Sequence, residues 1–101
     1  MLFALVCYDR RENPPTLRAE TRPAHLEYLS SLGDAVRAGG ALLSADGERV
    51  IGSMLIVEAD DLAAARSISA NDPYTLAGVF ESVEIHPWRQ AVGAPLSAPQ
   101  A

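Results

Sequence analysis

The chain is poor in the side chains that carry out chemistry: it has one cysteine, two histidines and no lysine. A single cysteine cannot form an intrachain disulfide. The histidines and the cysteine also lack the paired spacings that hold a metal ion. No glycine-rich phosphate loop is present, so nucleotide cofactors have no support either. The sequence therefore predicts a protein with no metal site and no cofactor.

Long apolar runs and clusters of basic residues are also missing. The opening apolar run covers about six residues with no basic residue before it, which is too short for a signal peptide or a membrane span. All eight basic residues are arginines scattered along a chain of net charge −5, whereas a nucleic-acid surface needs clustered positive charge. We therefore expect a cytoplasmic protein with neither a membrane nor a nucleic-acid partner.

The residues that are present indicate one small domain. The length of 101 residues and the apolar content of 49% suffice for a packed core, although small domains bury a smaller share of their surface than large ones. We assign residues 1–93 to this domain. Residues 94–101, rich in Ala, Pro and Ser, are predicted to form a flexible C-terminal tail.

Apolar periodicity and turn residues predict the order strand, helix, strand, strand, helix, strand. A two-residue hairpin turn at Asp46-Gly47 is expected to join the second and third strands. Asp60 is expected to cap the second helix. The expected strands cover 2–8, 41–45, 49–58 and 79–86, and the first helix is expected to begin at a Thr21 cap and to end at Gly39-Gly40.

This order predicts a ferredoxin-like βαββαβ domain of the α+β class, a four-stranded antiparallel sheet with two helices on one face. The first and third strands should be central, because both are apolar on both of their alternations. Two helices can cover only one face of such a sheet, and nothing left in the chain is expected to cover the other. We therefore expect a homodimer in which two sheets pack face to face as a dimeric α+β barrel.

The candidate site consists of His25 on the first helix and Asp72 in the segment Asp72-Pro73-Tyr74. An imidazole oriented by a carboxylate is a minimal general base near neutral pH. The residues alone favour a hydrogen-bonded structural role for His25, and Asp72 has the alternative of capping a turn that begins at Pro73. The two roles of Asp72 are compatible if one oxygen accepts a backbone N–H and the other accepts the imidazole N–H. A working base should also face a cavity.

An ordered set of short motifs resembles the YciI-like, or YCII-related, proteins. The motifs are Arg22-x-x-His25-Leu26-x-Tyr28-Leu29, Leu42-Leu43, Asp46-Gly47, Gly52-Ser53, Asn71-Asp72-Pro73-Tyr74, Ala77-Gly78-Val79-Phe80 and Ile85-His86-Pro87-Trp88-Arg89. The resemblance implies a small dimer of the dimeric α+β barrel type, with a His-Asp pair at His25 and Asp72. Family reactions are mostly unassigned, but one relative is a dehydrochlorinase of a chlorinated hydroxyhydroquinone.

The resemblance and the residues together lead to one functional hypothesis and one alternative. The hypothesis is a cofactor-independent enzyme in which His25 transfers a proton and Asp72 orients it, in an elimination or isomerisation of a small cyclic or aromatic oxygenated metabolite. The alternative is a non-catalytic small-molecule-binding or stress-related module that uses the same pocket. The sequence leaves the substrate and the reaction type open.

Three further residues are predicted to bind the substrate: Arg22, Tyr74 and Ser53. Ser53 follows Gly52 inside a strand, where glycine often marks a bulge or a close approach of backbone. Tyr74 has the alternative of simple packing. Trp88 is read either as a dimer-interface residue or as a ligand contact. Cys7, within an apolar strand, is read as a small buried hydrophobe rather than a nucleophile.

Overall fold

One four-stranded antiparallel sheet organises the protein, and three helices lie along the chain between its strands. A computed structural model describes residues 1–96. The strands are β1 (Leu2–Asp9), β2 (Val36–Leu43), β3 (Val50–Glu58) and β4 (Phe80–Trp88), and the helices are α1 (Leu17–Ser31), α2 (Leu62–Ala70) and α3 (Pro73–Leu76). A short 3₁₀ turn, Gly33–Ala35, joins α1 to β2.

The strand order is β2-β3-β1-β4, so β1 and β3 are central, as the sequence predicts. β1 pairs antiparallel with both neighbours, and Leu5 lies opposite Leu55 on one side and Ile85 on the other. This topology is the ferredoxin-like α+β fold, and the predicted fold class is confirmed. The four-residue helix α3 adds to it in the segment that was expected to be a loop. No helix in residues 1–96 has the length and apolar content needed to cross a membrane.

Alternate residues of the central strands point towards the helices and form the main core. Phe3 and Leu5 of β1 pack with Leu55 and Val57 of β3 in one buried cluster. Because side chains alternate along a strand, the next position of β3 on this side is Ser53. The core register therefore carries a polar side chain to the helix side of the sheet.

A second buried cluster lies at the end of the sheet that carries the candidate site. Cys7, Tyr74, Val79 and Phe80 form this cluster, and Leu17 of α1 packs against it. These apolar contacts attach α3 and the start of β4 to the first turn of α1. They thereby bring Asp72 and Tyr74 next to α1, where His25 lies.

The sheet face opposite the helices, called the open face below, is also apolar. Its central positions are Leu2, Ala4, Val6, Met54 and Ile56. At one end Trp88 and Leu96 pack against a buried cluster of Leu2, Ala4 and Ile56. At the other end Met54 remains 38% exposed. The chain therefore covers part of this face itself, which differs from the expectation that nothing in it could do so.

The segment that follows β4 provides this partial cover. The Gln90 side chain accepts a hydrogen bond from the Leu96 N–H at 2.7 Å and donates one to the Ala94 carbonyl at 2.6 Å. Of the predicted tail 94–101, residues 94–96 make these contacts, and residues 97–101 lie outside the described residues.

The predicted start of the first helix is wrong. α1 begins at Leu17 after Thr16, and Pro23 lies inside it rather than in its first turn. The Thr21 hydroxyl donates to the Leu17 carbonyl at 2.8 Å instead of capping the helix. The earlier start is stabilised by tertiary contacts of Leu17 and Arg18, which local periodicity does not reveal.

The predicted end of the first helix is also wrong, since α1 ends at Ser31 and Gly39-Gly40 lie within β2. Gly33 has a φ of 58°, in the left-handed region that interrupts a right-handed helix and that glycine adopts at low cost. The apolar residues that extended the helical pattern, such as Val36, therefore belong to the 3₁₀ turn and to β2.

Two smaller predictions are corrected by hydrogen bonds. The connection between β2 and β3 covers residues 44–49 rather than two residues, and of Asp46 and Gly47 only the glycine has a positive φ. Asp46 instead accepts hydrogen bonds from the Ser44 hydroxyl and the Glu48 N–H. The cap of α2 is Asp61 rather than Asp60, because the Asp61 carboxylate accepts the Ala64 N–H at 2.8 Å.

Candidate active site

His25 and Asp72, 47 residues apart in the chain, are joined by a buried hydrogen bond. The distance from His25 Nδ1 to Asp72 Oδ1 is 2.8 Å, and the two residues are 7% and 5% exposed. Because a carboxylate oxygen accepts, His25 donates through Nδ1, which leaves Nε2 as the nitrogen able to take a proton. The two predicted catalytic residues therefore have the geometry of an imidazole oriented by a carboxylate.

Asp72 also caps α3, so both interpretations of this residue are realised together. Its Oδ1 accepts the Tyr74 N–H at 2.9 Å, and Pro73 occupies the first helical position. The expectation that the two bonds would use different oxygens is wrong: Oδ1 accepts both. Tyr74 follows Asp72 by two residues, and the turn directs its N–H to the oxygen that also bonds His25. The cap thereby holds the carboxylate in the position that orients the imidazole.

Tyr74 holds the imidazole ring from one side. Its ring stacks on His25 with centroids 3.9 Å apart and planes inclined by 20°. Phe80 packs edge-on against Tyr74 at 5.9 Å. Tyr74 is only 1% exposed, so its rotation is restricted by these contacts. Tyr74 is therefore both a packing residue and a neighbour of the predicted base, and its predicted role in substrate binding stays a prediction.

A partly buried cation lies beside this stack. The Arg18 guanidinium pairs with Asp9 through two hydrogen bonds of 2.9 and 3.2 Å, and it donates to the Ser53 hydroxyl at 2.7 Å. Its central carbon lies 4.5 Å from the centre of the Tyr74 ring. Burial opposes the charge, but the hydrogen bonds and attraction of Asp9, with a smaller contribution from Tyr74, outweigh it and raise the pKa of Arg18. The site thus contains a fixed positive charge next to the aromatic stack.

Ser53 is carried into this network by the close approach of two strands. A Cβ at Gly52 would overlap the carbonyl oxygen of Cys7, so only glycine permits the observed spacing. The expected close approach at Gly52 is therefore confirmed. Ser53 itself is buried and reaches Arg18 rather than the histidine. Its assignment as a substrate-binding residue stays a prediction.

Arg18 and Asp9 were not predicted from the sequence. Arg18 precedes His25 by seven residues, which places the two on the same side of a helix. The seven-residue separation is a usable signal of proximity only if Arg18 lies in the helix. The predicted start at Thr21 places Arg18 before the helix, so the sequence did not predict this contact. Asp9 ends β1, where the pairing with β4 is irregular between Tyr8 and Asp9.

A large cleft opens beside the stack, with a volume of about 1410 Å³. Tyr74, Arg18 and Arg22 are among the residues that line it, whereas His25 and Asp72 are not. The pair therefore lies behind Tyr74 and does not form the cleft wall itself, in contrast to the expectation of a directly facing base. His25 Nε2 has no hydrogen-bond partner within residues 1–96, and it is not among the fully enclosed polar atoms that lack partners. Nε2 is therefore not fully enclosed by the described residues.

Two neighbouring groups are held in their neutral forms. Burial, with a smaller contribution from the Asp72 charge, raises the pKa of the Cys7 thiol to about 12. This agrees with the interpretation of Cys7 as a buried hydrophobe. Burial and the Asp72 charge also raise the pKa of Tyr28, whose hydroxyl donates to the Ile68 carbonyl at 2.8 Å. That bond ties α1 to α2, one turn from His25.

The second histidine lies away from the site. His86 is exposed on the edge strand β4, with Nε2 3.5 Å from the Glu84 carboxylate.

Trp88 packs on the open face with Leu96. Within residues 1–96, no group of three or more histidine, cysteine, aspartate or glutamate side chains is arranged to hold a metal ion.

Comparison with known proteins agrees with the fold. The family model of the YCII-related domain matches residues 1–89. Two proteins named YciI, from Escherichia coli O6:H1 and Shigella flexneri, are each 32% identical over 97 residues, which covers 89% of this chain and 98% of theirs. The chain therefore belongs to the YCII-related, or YciI-like, family.

One similar solved structure has a described activity. It is the 5-chloro-2-hydroxyhydroquinone dehydrochlorinase TftG of Burkholderia phenoliruptrix AC1100, in complex with 2,5-dihydroxybenzoquinone. It is 35% identical to this chain, with a TM-score of 0.78, and the match covers 90% of this chain and 96% of that one. A protein similar to this chain is thus a dehydrochlorinase, and its structure is a complex with a dihydroxylated benzoquinone.

Proposed function

We propose that this protein is a cofactor-independent enzyme that uses His25 to move a proton on a small oxygenated ring compound, in an elimination or isomerisation. The observation that carries the proposal is the buried hydrogen bond of 2.8 Å between His25 Nδ1 and Asp72 Oδ1. It sets the tautomer in which Nε2 accepts a proton, and the carboxylate stabilises the imidazolium that results. A positioned base of this kind contributes about 10²–10⁴-fold in rate.

The proton transfer has a defined balance of charge. His25 Nε2 takes a proton from a ring hydroxyl or an acidic C–H, and the electron pair that remains develops as negative charge on a ring oxygen. In an isomerisation, protonation at a ring carbon then removes that charge. In a dehydrochlorination of a hydroxylated aromatic ring, the carbon that bears chlorine is protonated first, and loss of a second hydroxyl proton then expels chloride, so that HCl is lost overall. The substrate thus passes through an oxyanion intermediate, and the site needs a fixed positive group to stabilise it.

Arg18 is the positively charged group that we propose for this role. Its guanidinium is held by Asp9 and Ser53 on the same side of α1 as His25, and it lies against the Tyr74 ring. A preorganised donor aimed at developing charge is worth about 10²–10³-fold in rate. In this proposal Arg18 and Ser53 stabilise the oxyanion, Asp9 positions Arg18, and Tyr74 and Arg22 contact the substrate.

The similarity to the dehydrochlorinase supports the reaction class. At 35% identity over 90% of the chain, the two proteins share the fold in which this site is built. We therefore propose that the substrate is a hydroxylated or quinone-like ring, and that loss of HCl is the first reaction to test.

One observation favours a second function, a module that binds a small molecule without converting it. His25 is 7% exposed, and Tyr74 lies between it and the cleft. Catalysis requires Tyr74 to leave room for a ring near Nε2, whereas a binding module does not. The two functions are separated by whether a bound ring is changed.

We further propose that the protein is a homodimer built on the open face. Residues 89–96 cover only the end of this face near Leu2, and Met54 stays 38% exposed on a central strand. A specific pair would bury on the order of 1,000 Å² or more. Trp88 and Leu96 would then border the interface.

The test of function is turnover of 5-chloro-2-hydroxyhydroquinone and a panel of hydroxylated rings by the full chain, followed as chloride release and by absorbance. We expect conversion by the native protein and at least a hundredfold loss in His25→Ala, in keeping with the size of base catalysis. Binding of rings without conversion of any of them would support the binding module. Equal turnover by His25→Ala would contradict the proposed base.

A further inference from the structure

The cleft beside the site has a charge opposite to that of the protein as a whole. Five of the eight arginines line it, together with only two of the thirteen acidic residues. These are Arg10, Arg11, Arg18, Arg22 and Arg49, against Asp9 and Glu81. The chain carries a net charge of −5, so the cleft is a positive region on an acidic protein.

Most of this positive charge is not used by the protein itself. Arg18 is paired with Asp9, and Arg10 Nε donates to the Gly78 carbonyl at 3.2 Å. The side chains of Arg11, Arg22 and Arg49 make no hydrogen bond or ion pair with any group in residues 1–96. Cations that line one cleft repel one another. An anionic ligand in the cleft would offset this repulsion.

The three arginines come from separate parts of the chain. Arg11 follows β1, Arg22 lies on α1 one turn beyond Arg18, and Arg49 directly precedes β3. Residues four apart on a helix are neighbours, so Arg22 continues the positive charge of Arg18 outwards into the cleft. The fold therefore collects at one place charges that are scattered in the sequence.

The chemistry of the lining suits a carboxylate better than a phosphate. Phosphate sites commonly use consecutive backbone N–H groups of glycine-rich turns. The residues that line this cleft include no glycine, and Pro14 and Pro15 have no N–H to donate. Arginine guanidinium groups pair with carboxylates and phosphates alike. The absence of a backbone N–H cradle in the cleft lining is therefore what favours the carboxylate.

We infer that the ring substrate of this protein carries a carboxylate in addition to its ring oxygens, and that Arg22 and Arg49 bind that carboxylate in the cleft while the ring lies near Tyr74. This inference rests on the proposed function for the ring, and it adds the charged group that selects among rings. Arg18 remains committed to Asp9 and Ser53.

The inference is tested by binding, measured by isothermal titration calorimetry with two matched compounds. The probes are 2,5-dihydroxybenzoate and 2,5-dihydroxybenzamide, which share the ring and its hydroxyls and differ in the charge of one substituent. We expect the acid to bind about tenfold more tightly, as expected when several solvent-exposed ion pairs of modest strength add together. Raising the salt from about 0.02 to about 0.5 M should shrink this preference.

The double variant Arg22→Gln and Arg49→Gln should reduce the preference for the acid to less than about threefold, since the remaining ion pairs are few. Arg66→Gln is the matched control, because Arg66 is exposed on α2 and lies outside the cleft. It removes the same charge and should leave the preference unchanged.

Equal binding of acid and amide by the native protein, absence of binding by both, or an unchanged preference in the double variant would overturn the inference. The outcome is independent of catalysis. A His25→Gln protein that turns over nothing should still bind the acid more tightly than the amide. If the native protein turns over a ring but binds acid and amide equally, the proposed reaction stands and the carboxylate inference is wrong.

Discussion

The two faces of the sheet differ in their polar content: the helix side has an apolar core with a polar site at one end, whereas the central positions of the open face are all apolar. On the helix side the sheet presents Asp9 and Ser53 towards α1, where they meet Arg18, and His25 and Asp72 lie close by. The central positions of the open face, from Leu2 to Ile56, are apolar and are only partly covered. The same two strands therefore carry a polar site on one side and a hydrophobic surface on the other.

The difference follows from what each kind of burial requires. A buried polar group costs free energy unless it has a hydrogen-bond partner, so each one on the helix side must be matched in position. Arg18 has Asp9 and Ser53, and His25 has Asp72. An apolar surface needs only to be removed from water, and residues 89–96 or a second subunit can do this without exact geometry. Single substitutions on the helix side should therefore change turnover or the stability of one matched pair. Single substitutions on the open face should change the association of two subunits.

The largest effect is expected on the helix side, from Asp72→Asn. Asparagine caps a helix about as well as aspartate, so the loss of stability should be confined to the altered bond with His25, about 1–3 kcal/mol at most. The variant loses control of the His25 tautomer, so turnover should fall by about 10²–10⁴-fold. Steady-state kinetics and urea unfolding on the same preparation would check both values.

Asp61→Asn is the matched control, because Asp61 caps α2 by the same kind of bond, 2.8 Å to the Ala64 N–H, but is exposed and lies outside the site. It should leave turnover and stability unchanged. Full activity of Asp72→Asn would show that Asp72 is only a cap and His25 a packing residue.

The next effect is expected on the open face, from Met54→Glu. If two copies meet there, a charge at this central position would be buried without a partner. The dimer dissociation constant should then rise by at least about a hundredfold. Light scattering at micromolar concentration should give a dimer mass for the native protein and a monomer mass for the variant.

Leu76→Glu provides the comparison, since Leu76 is 72% exposed on α3 and lies off the open face. It introduces the same charge and should leave the dimer intact. A monomer mass for the native protein would contradict the proposed dimer. Residues 89–96 would then be the only part of the described chain that covers the open face.

A moderate effect on stability is expected from Arg18→Gln. The substitution leaves the Asp9 carboxylate, whose side chain is only 15% exposed, without its cation. An unmatched, largely buried group of this kind costs about 1–3 kcal/mol of unfolding free energy. Urea denaturation should show a loss of this size, and Arg66→Gln should stay within about 0.5 kcal/mol.

The double variant Asp9→Asn with Arg18→Gln sharpens this result. Removing both charges takes away the unmatched group, so part of the lost stability should return. Additive losses in the two single variants would mean that the pair does not act as a unit.

The smallest effect is expected from Asp46, a carboxylate that lies on neither face. Hydrogen bonds from the Ser44 hydroxyl and the Glu48 N–H lower its pKa from 3.8, although it is fully exposed. A lowered pKa in the folded state means that this stabilisation is present above pH 3.8 and is lost as the pH falls through the folded value.

Asp46→Asn should therefore lower the melting temperature slightly at neutral pH, and the difference from the native protein should vanish in acid. Thermal unfolding between about pH 2 and 7 would check this, since the stability linked to a carboxylate titrates across that range. A difference that grows as the pH falls would contradict the sign.

Much of the site could be predicted because its parts have local signals. Asp72-Pro73 marks a cap, His25 lies at the edge of an apolar stripe, and Gly52 marks a close approach of strands. The bounds of α1 were wrong at both ends for different physical reasons. Its start depends on contacts of Leu17 and Arg18 with distant residues, and its end depends on a positive φ at Gly33. The first error removed Arg18 from the predicted site.

The sequence by itself determined the order of the strands and of α1 and α2, and the central position of β1 and β3. These follow from periodicity and turn residues, which act over a few positions along the chain. The pairing of His25 with Asp72 was a hypothesis that the family resemblance favoured. Only the tertiary structure decided that one oxygen of Asp72 accepts both bonds, that Tyr74 lies between His25 and the cleft, and that Arg18 joins Asp9 and Ser53. It also decided that scattered arginines line one cleft and that Leu96 returns to the open face. These features depend on side chains from separate elements meeting at specific distances, and such meetings are set by packing of the whole core rather than by neighbours in the chain.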